Sequence, residues 1–286
     1  MHSISNEYLT ASFITKGAEL KSLKNNSGFE YIWQGGPEIW ERSAPVLFPI
    51  VGEAANGIIT VDGQQYELKR HGFARDSNFM VSYEAGDELV FTLEASEETL
   101  VRYPFYFSFS VGYKLEKKSL TTTFTVKNTG DMEMFFSVGA HPGFNLPTGN
   151  LQDYYIKFEK AETLRRHLLK NNLFNGETEE ISDNSNYMFL NTQLFDKDAI
   201  VLKNFTSTSA QLKSKEEGYS ITMDFDGFPY FGIWTKPNTG KFICLEPWCG
   251  LADSRGFNGE LKDKEGIIAL QPGELFERSF TVTFNN

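Results

Sequence analysis

Three residues far apart in this chain have side chains able to move protons near neutral pH. His71 stands in Lys69-Arg70-His71-Gly72-Phe73-Ala74-Arg75, His141 in Gly139-Ala140-His141-Pro142-Gly143-Phe144, and Glu246 interrupts the apolar run Phe242-Ile243-Cys244-Leu245-Glu246-Pro247-Trp248. An imidazole titrates close to physiological pH, and a carboxyl whose charged form is desolvated has its pKa raised toward the same range. A set of this composition is equipped for general acid–base catalysis.

Each position also has a plainer reading. Arg70 and Arg75 bracket His71, so a loop here would present an imidazole and guanidinium groups together; the alternative is a solvated basic turn. Pro142 pushes His141 toward an extended backbone and Gly143 permits a sharp turn after it, as for a strand-end histidine facing a cavity. A histidine satisfied by backbone groups would look the same. Strand alternation places Glu246 on the face of Phe242 and Cys244, and Pro247 removes the next backbone donor. A carboxylate there must be a general base of raised pKa or half of a buried ion pair with an arginine. His2 and His167 sit in polar surroundings and receive no role. A Glu–His metal site lacks ligand spacing on a common element, and glycoside hydrolysis usually needs a second carboxylate.

The elements that must position these residues read as strands. Phe105, Phe107, Phe109, Val111 and Tyr113 share one face of a period-two pattern that recurs at Leu89 to Leu93, Leu120 to Val126, Ile200 to Leu202, Ile221 to Phe225 and Phe280 to Phe284. Asp62-Gly63 and Asn25-Asn26-Ser27-Gly28 mark hairpin turns. Helical pieces are expected only at Pro37 to Arg42, Ser96 to Arg102 and Ala161 to Leu169, with a polar surface loop at Asn171 to Asn186. No βαβ repeat is visible, so the expected fold is all-β, a large antiparallel β-sandwich forming one domain over 1–286.

Composition narrows the partners. The balance of 27 basic against 38 acidic residues leaves a formal charge of −11, which repels nucleic acid and anionic membranes. No apolar run is long enough to span a bilayer, and the N-terminus has no basic start, so a cytoplasmic protein is expected. Cys244 and Cys249 fit neither a disulfide framework nor a four-ligand zinc site and read as free thiols in a reducing compartment. Aromatic residues make up 15% of the chain, led by 26 Phe and 12 Tyr, suited to pleated cores and to stacking on sugar rings.

The series Gly17-Ala18-Glu19-Leu20, Pro45-Val46-Leu47-Phe48-Pro49, His71-Gly72-Phe73-Ala74-Arg75, His141-Pro142-Gly143-Phe144 and Leu245-Glu246-Pro247-Trp248 resembles, in order and spacing, the aldose 1-epimerase (mutarotase) superfamily. The resemblance spans about residues 10–284 and is closest to its LacX-like branch, with glucose-6-phosphate 1-epimerases next. It implies a β-sandwich with a sugar cleft and no cofactor or metal in catalysis. By motif, Glu246 would take the anomeric hydroxyl proton, His141 would protonate the ring oxygen, and His71 would hydrogen-bond sugar oxygens near C1. The ring would open to the aldehyde, rotate about C1–C2 and reclose.

The same resemblance makes Asp198, with Asp196 as the alternative, a grip on sugar hydroxyls. Trp234 becomes an aromatic wall, unless it is a core tryptophan, and Arg42 and Arg75 become cationic contacts of the kind used by the sugar-phosphate branch. Where sugar mutarotases carry an arginine after the glycine of Phe48-Pro49-Ile50-Val51-Gly52, this chain has Glu53. The expectation is a hexose 1-epimerase, monomer or homodimer, acting on a small-molecule sugar. A sugar-phosphate epimerase and a non-catalytic carbohydrate sensor are the alternatives.

Overall fold

The computed structural model describes residues 1–216 and 218–285. Its dominant element is an antiparallel sheet of fifteen strands among the described residues. Thirteen follow one another in the order Val46–Leu47, Val138–Ala140, Phe242–Cys249, Tyr230–Trp234, Ile200–Lys203, Tyr154–Lys170, Ser209–Ser214, Ser220–Asp224, Leu275–Asn285, Ser119–Asn128, Phe107–Glu116, Glu88–Glu94 and Met80–Ala85. Gly143–Asn145 adds to Phe242–Cys249, and Leu173–Phe189 adds to Tyr154–Lys170. Smaller sheets are formed by His2–Ser5, Leu9–Phe13 and Leu20–Asn25, by Ile58–Val61 with Gln64–Glu67, and by Met134–Phe136 with Ile268–Leu270.

The alternation that announced these strands sorts their faces. In Phe107–Glu116 the residues Phe107, Phe109, Val111, Tyr113 and Leu115 are buried while those between them are not. Across the ladder Val126 pairs with Phe109, Phe124 with Val111 and Leu120 with Leu115. The opposite face carries hydroxyls that bond strand to strand, Ser119 to Thr283, Thr121 to Thr281 and Thr123 to Ser279, at 2.8–2.9 Å. A sheet this wide rarely stays open and flat. Its first and eleventh strands meet at Phe48, which follows the first and stacks on Phe109 of the eleventh at 4.4 Å with 21° between the rings. One apolar cluster accordingly runs from Ile4 to Phe284.

Three expectations need correction. Ala161 to Leu169 is strand, not helix, within Tyr154–Lys170. Its period-two signal was hidden because two of the three buried positions, Glu162, Leu164 and Arg166, are charged. Glu162 Oε1 accepts from the backbone and hydroxyls of Thr206 and Ser207, and Arg166 donates to Glu179 and to the Leu194 carbonyl, so both are satisfied inside. Asn171 to Asn186 is not a loop but most of the strand Leu173–Phe189, whose Glu180 and Glu179 pair with Arg165 and Arg166 across the ladder. Here opposite charges rather than apolar residues supply the cross-strand attraction. Pro37 to Arg42 is a turn closed by a Gly36–Trp40 bridge. The third expected helix forms at Glu97–Leu100, held by a Ser96–Thr99 capping box.

Candidate active site

The strands Phe242–Cys249, Tyr230–Trp234 and Ile200–Lys203 form the base of a cavity of about 340 Å³, within the usual range for small-molecule sites of about 300–1,000 Å³. Loops at 39–53 and 70–75 and the turn at 169–174 supply its walls. His71, His141 and Glu246, separated by up to 175 positions (246 − 71) in the chain, all line it.

Glu246 sits mid-strand opposite Gly232, with 1% of its surface exposed. The next large side chain, Trp248, lies over the neighbouring strands. A Cβ at Gly232 would come within 2.6 Å of its indole and one at Gly139 within 2.7 Å, so only glycine on both flanks lets the ring settle there. His141 follows the strand Val138–Ala140, its backbone N–H donating to the Pro45 carbonyl. Its ring is 5.1 Å from Trp40 and meets Trp234 edge-on at 5.6 Å. Pro45 is steadied in turn by buried Glu19, whose Oε1 accepts from the backbone of Ser43 and Ala44.

His71 is held differently. Its φ is +66°, and Gly72 after it also has a positive φ in a place where a Cβ would lie 2.2 Å from the Phe48 carbonyl oxygen. The His71 N–H donates to the Gly52 carbonyl, and the Gly52 N–H donates to His71 Nδ1 at 3.1 Å. A nitrogen that accepts is unprotonated, so the proton of this imidazole is on Nε2. Burial, then Arg75, His141 and Arg70, push its pKa well below the ordinary value. His71 is therefore a neutral hydrogen-bond donor.

His141 Nε2 lies 3.2 Å from Glu246 Oε2, yet neither carboxyl oxygen nor His141 Nδ1 completes a hydrogen bond among the described residues. Burial pushes the histidine down to about 3, with Arg75, Arg70 and Arg42 adding to the effect. Burial, then Asp198, raises the carboxyl well above the usual range, opposed by Arg70 and the Trp248 indole. Both shifts favour the neutral forms, in which the carboxyl bears the pair's one titratable proton. Such a pair titrates as a unit. The expected alternative of an arginine ion pair for Glu246 does not form among the described residues, where the basic side chain within pairing distance is the imidazole of His141.

The remaining residues divide. Arg75, Asp198 and Trp234 line the cavity, and Asp196 does not. Arg42 does not either: its Nη2 pairs with Asp76 at 2.6 Å and its Nη1 donates to the Arg75 carbonyl, away from the cavity lining where Glu53 stands. Arg75 donates to the Arg70 carbonyl while its Nε has no partner, and burial beside Arg42 lowers its pKa only to about 10, leaving it charged at neutral pH. Trp40, Asn172 and Lys236 also line the cavity. Asn172 had a signal that went unread. Asn171 and Asn172 both have positive φ, as a tight hairpin turn between two strands requires, and Asn172 Oδ1 accepts from Arg70. Trp40 and Lys236 had none.

The profile described as aldose 1-epimerase matches residues 1–283. The chain belongs to the aldose 1-epimerase family. Among curated relatives, the plasmid-encoded protein LacX of Lactococcus lactis subsp. lactis is 33% identical to this family member over 295 residues, covering 99% of each chain. A galactose mutarotase related enzyme from Lactobacillus acidophilus superposes on it with a TM-score of 0.95 at 35% identity, covering 100% of this chain and 97% of the other. A galactose mutarotase-like protein from Lactobacillus casei gives 0.94 at 32% identity, covering 99% of each. The all-β sandwich of this aldose 1-epimerase family member is the one its motifs implied. The described residues include no helix long and apolar enough to cross a membrane, and both cysteines are free and buried.

Proposed function

We propose that this protein is a hexose 1-epimerase that interconverts α and β anomers by ring opening and reclosure. The observation that carries the reading is the buried His141–Glu246 pair, 3.2 Å apart on a cavity wall and without hydrogen bonds of its own. Polar groups left unsatisfied beside a cavity acquire partners when a polyol enters. Transfer of the single proton from Glu246 to His141 gives a carboxylate base and an imidazolium acid. Glu246 then removes the anomeric hydroxyl proton as His141 protonates the ring oxygen, and the roles reverse on closure. The His71 Nε2–H supplies a neutral donor to sugar oxygens, Asp198 accepts from hydroxyls, and Trp40 and Trp234 offer faces for the C–H side of the ring. Anomer exchange followed by NMR with glucose and galactose tests this. Glu246→Gln should lose about 10²- to 10⁴-fold in turnover while remaining folded, and wild-type turnover in that variant would remove the assigned base.

A second reading, hexose phosphate as substrate, is favoured by one observation: Arg70 and Arg75 line the cavity, and neither has a carboxylate within ion-pair distance among the described residues. Guanidinium groups in that state are suited to a phosphate. With glucose 6-phosphate and galactose 6-phosphate, Arg75→Ala should raise KM about tenfold or more, the order of one charge-assisted hydrogen bond, and leave neutral hexoses nearly unaffected. Equal KM values for phosphorylated and free sugars in wild type and variant would restrict the substrate to the neutral class.

A further inference from the structure

Cys244 precedes Glu246 by two residues on the buried strand Phe242–Cys249 and points to the same face. One ligand atom from each of His141, Cys244 and Glu246 lies within 4.8 Å of the other two. The His141–Glu246 edge of that triangle is 3.2 Å. Around a tetrahedral cation with bonds of about 2.0 Å to N and O and about 2.3 Å to S, ligand atoms stand roughly 3.3–3.5 Å apart. One edge already has that spacing, and the others need side-chain closure of at most roughly 1.5 Å. Glu246 is 1% exposed, and both of its carboxyl oxygens are without hydrogen-bond partners among the described residues. Chain spacing alone argued against a metal site here; the fold supplies the third donor.

We propose that His141, Cys244 and Glu246 bind a thiophilic divalent cation of the Zn²⁺ type, and that the bound ion switches the acid–base pair off. The donor set of one sulfur, one imidazole and one carboxylate suits this class, whereas Mg²⁺ and Ca²⁺ take six or more oxygens. Three protein ligands leave a fourth position for water from the cavity. The balance is simple: the ion enters as M²⁺, the Cys244 thiol and the Glu246 carboxyl each release a proton, and thiolate plus carboxylate cancel the ion's charge. A neutral assembly is the form a buried site tolerates. Metal binding stands apart from the epimerase reading, while the inhibition rests on it.

Co²⁺ titration of the chelator-treated protein tests the site without reference to turnover. The expected result is a near-ultraviolet thiolate-to-cobalt charge-transfer band with intense visible bands of tetrahedral cobalt, displaced by Zn²⁺ and reversed by EDTA. The bands should vanish in Cys244→Ser and persist in Cys249→Ser. Glu246→Gln, a second route should the cysteine variant not fold, should weaken cobalt binding at least tenfold. Zn²⁺ should inhibit wild-type anomer exchange reversibly, and Cys244→Ser should need at least tenfold more. No thiolate band at saturating Co²⁺, or a band that survives Cys244→Ser, overturns the proposal. A normal band in a protein that epimerises none of the tested sugars would instead remove the epimerase reading and leave the metal site standing.

Discussion

The shared proton makes a claim at the scale of single residues. Because burial holds His141 near 3 and raises Glu246, the one-proton form of the pair persists from acidic pH up through the carboxyl's elevated titration. Adding a second proton, which would abolish the base, requires reaching the depressed histidine value. Removing the last proton, which would abolish the acid, happens as pH rises through the carboxyl's raised value. The sign is opposite to that of an exposed histidine, whose protonation near its model value of 6.5 would be felt as an acidic limb. We therefore expect kcat/KM for anomer exchange to stay nearly level from about pH 7 down to about pH 5. A fall centred near the ordinary histidine value would mean that the two groups titrate independently and that the histidine is solvated.

At the scale of elements, the site depends on loops that sheet hydrogen bonds do not hold. The segment after Gly52 is fastened from behind by a buried ion pair. Asp253 pairs with Lys264 through one carboxyl oxygen, accepts the Ala55 N–H with the other at 2.8 Å, and donates its own N–H to the Glu53 carbonyl. Both side chains are about 95% buried. Since Gly52 in turn seats His71, this pair sets where the imidazole stands. Lys264→Met leaves a buried carboxylate without its cation and should cost about 3–5 kcal/mol in urea denaturation. A loss below about 1 kcal/mol would show that the loop is held by its backbone bonds alone.

For the whole molecule, the expectation of a single domain turns on Phe48. Its ring is fully buried, stacks on Phe109 and lies within 5.0–6.2 Å of Phe107, Phe136, Tyr103 and Phe73, so it joins the first strand of the long sheet to the eleventh and to the His71 loop. Phe48→Ala should destabilise the protein by about 3–5 kcal/mol. In wild type and variant, unfolding followed by tryptophan fluorescence and by far-ultraviolet circular dichroism should coincide. Three of the four tryptophans, Trp40, Trp234 and Trp248, line the cavity, so their fluorescence reports on the site while circular dichroism reports on the sheet. Separate midpoints would divide the chain into more than one cooperative unit.

What the sequence determined by itself was whatever depends on neighbours along the chain. Period-two alternation declared the strands because side chains of a pleated strand alternate between water and core whatever the partner. The failures had non-local causes: Glu162 and Arg166 are buried charges whose partners lie 13 to 45 residues away, which no pattern of hydropathy can display. The Pro142-Gly143 turn and the apolar run around Glu246 showed that His141 and Glu246 stand at constrained positions. Tertiary structure alone decided that they meet at 3.2 Å, that Cys244 joins them, that Asp198 rather than Asp196 reaches the cavity, and that Arg42 is committed to Asp76. The direction in which burial shifts both groups belongs with these, because it follows from the water that the surrounding sheet excludes, and exclusion of water is a property of the assembled fold.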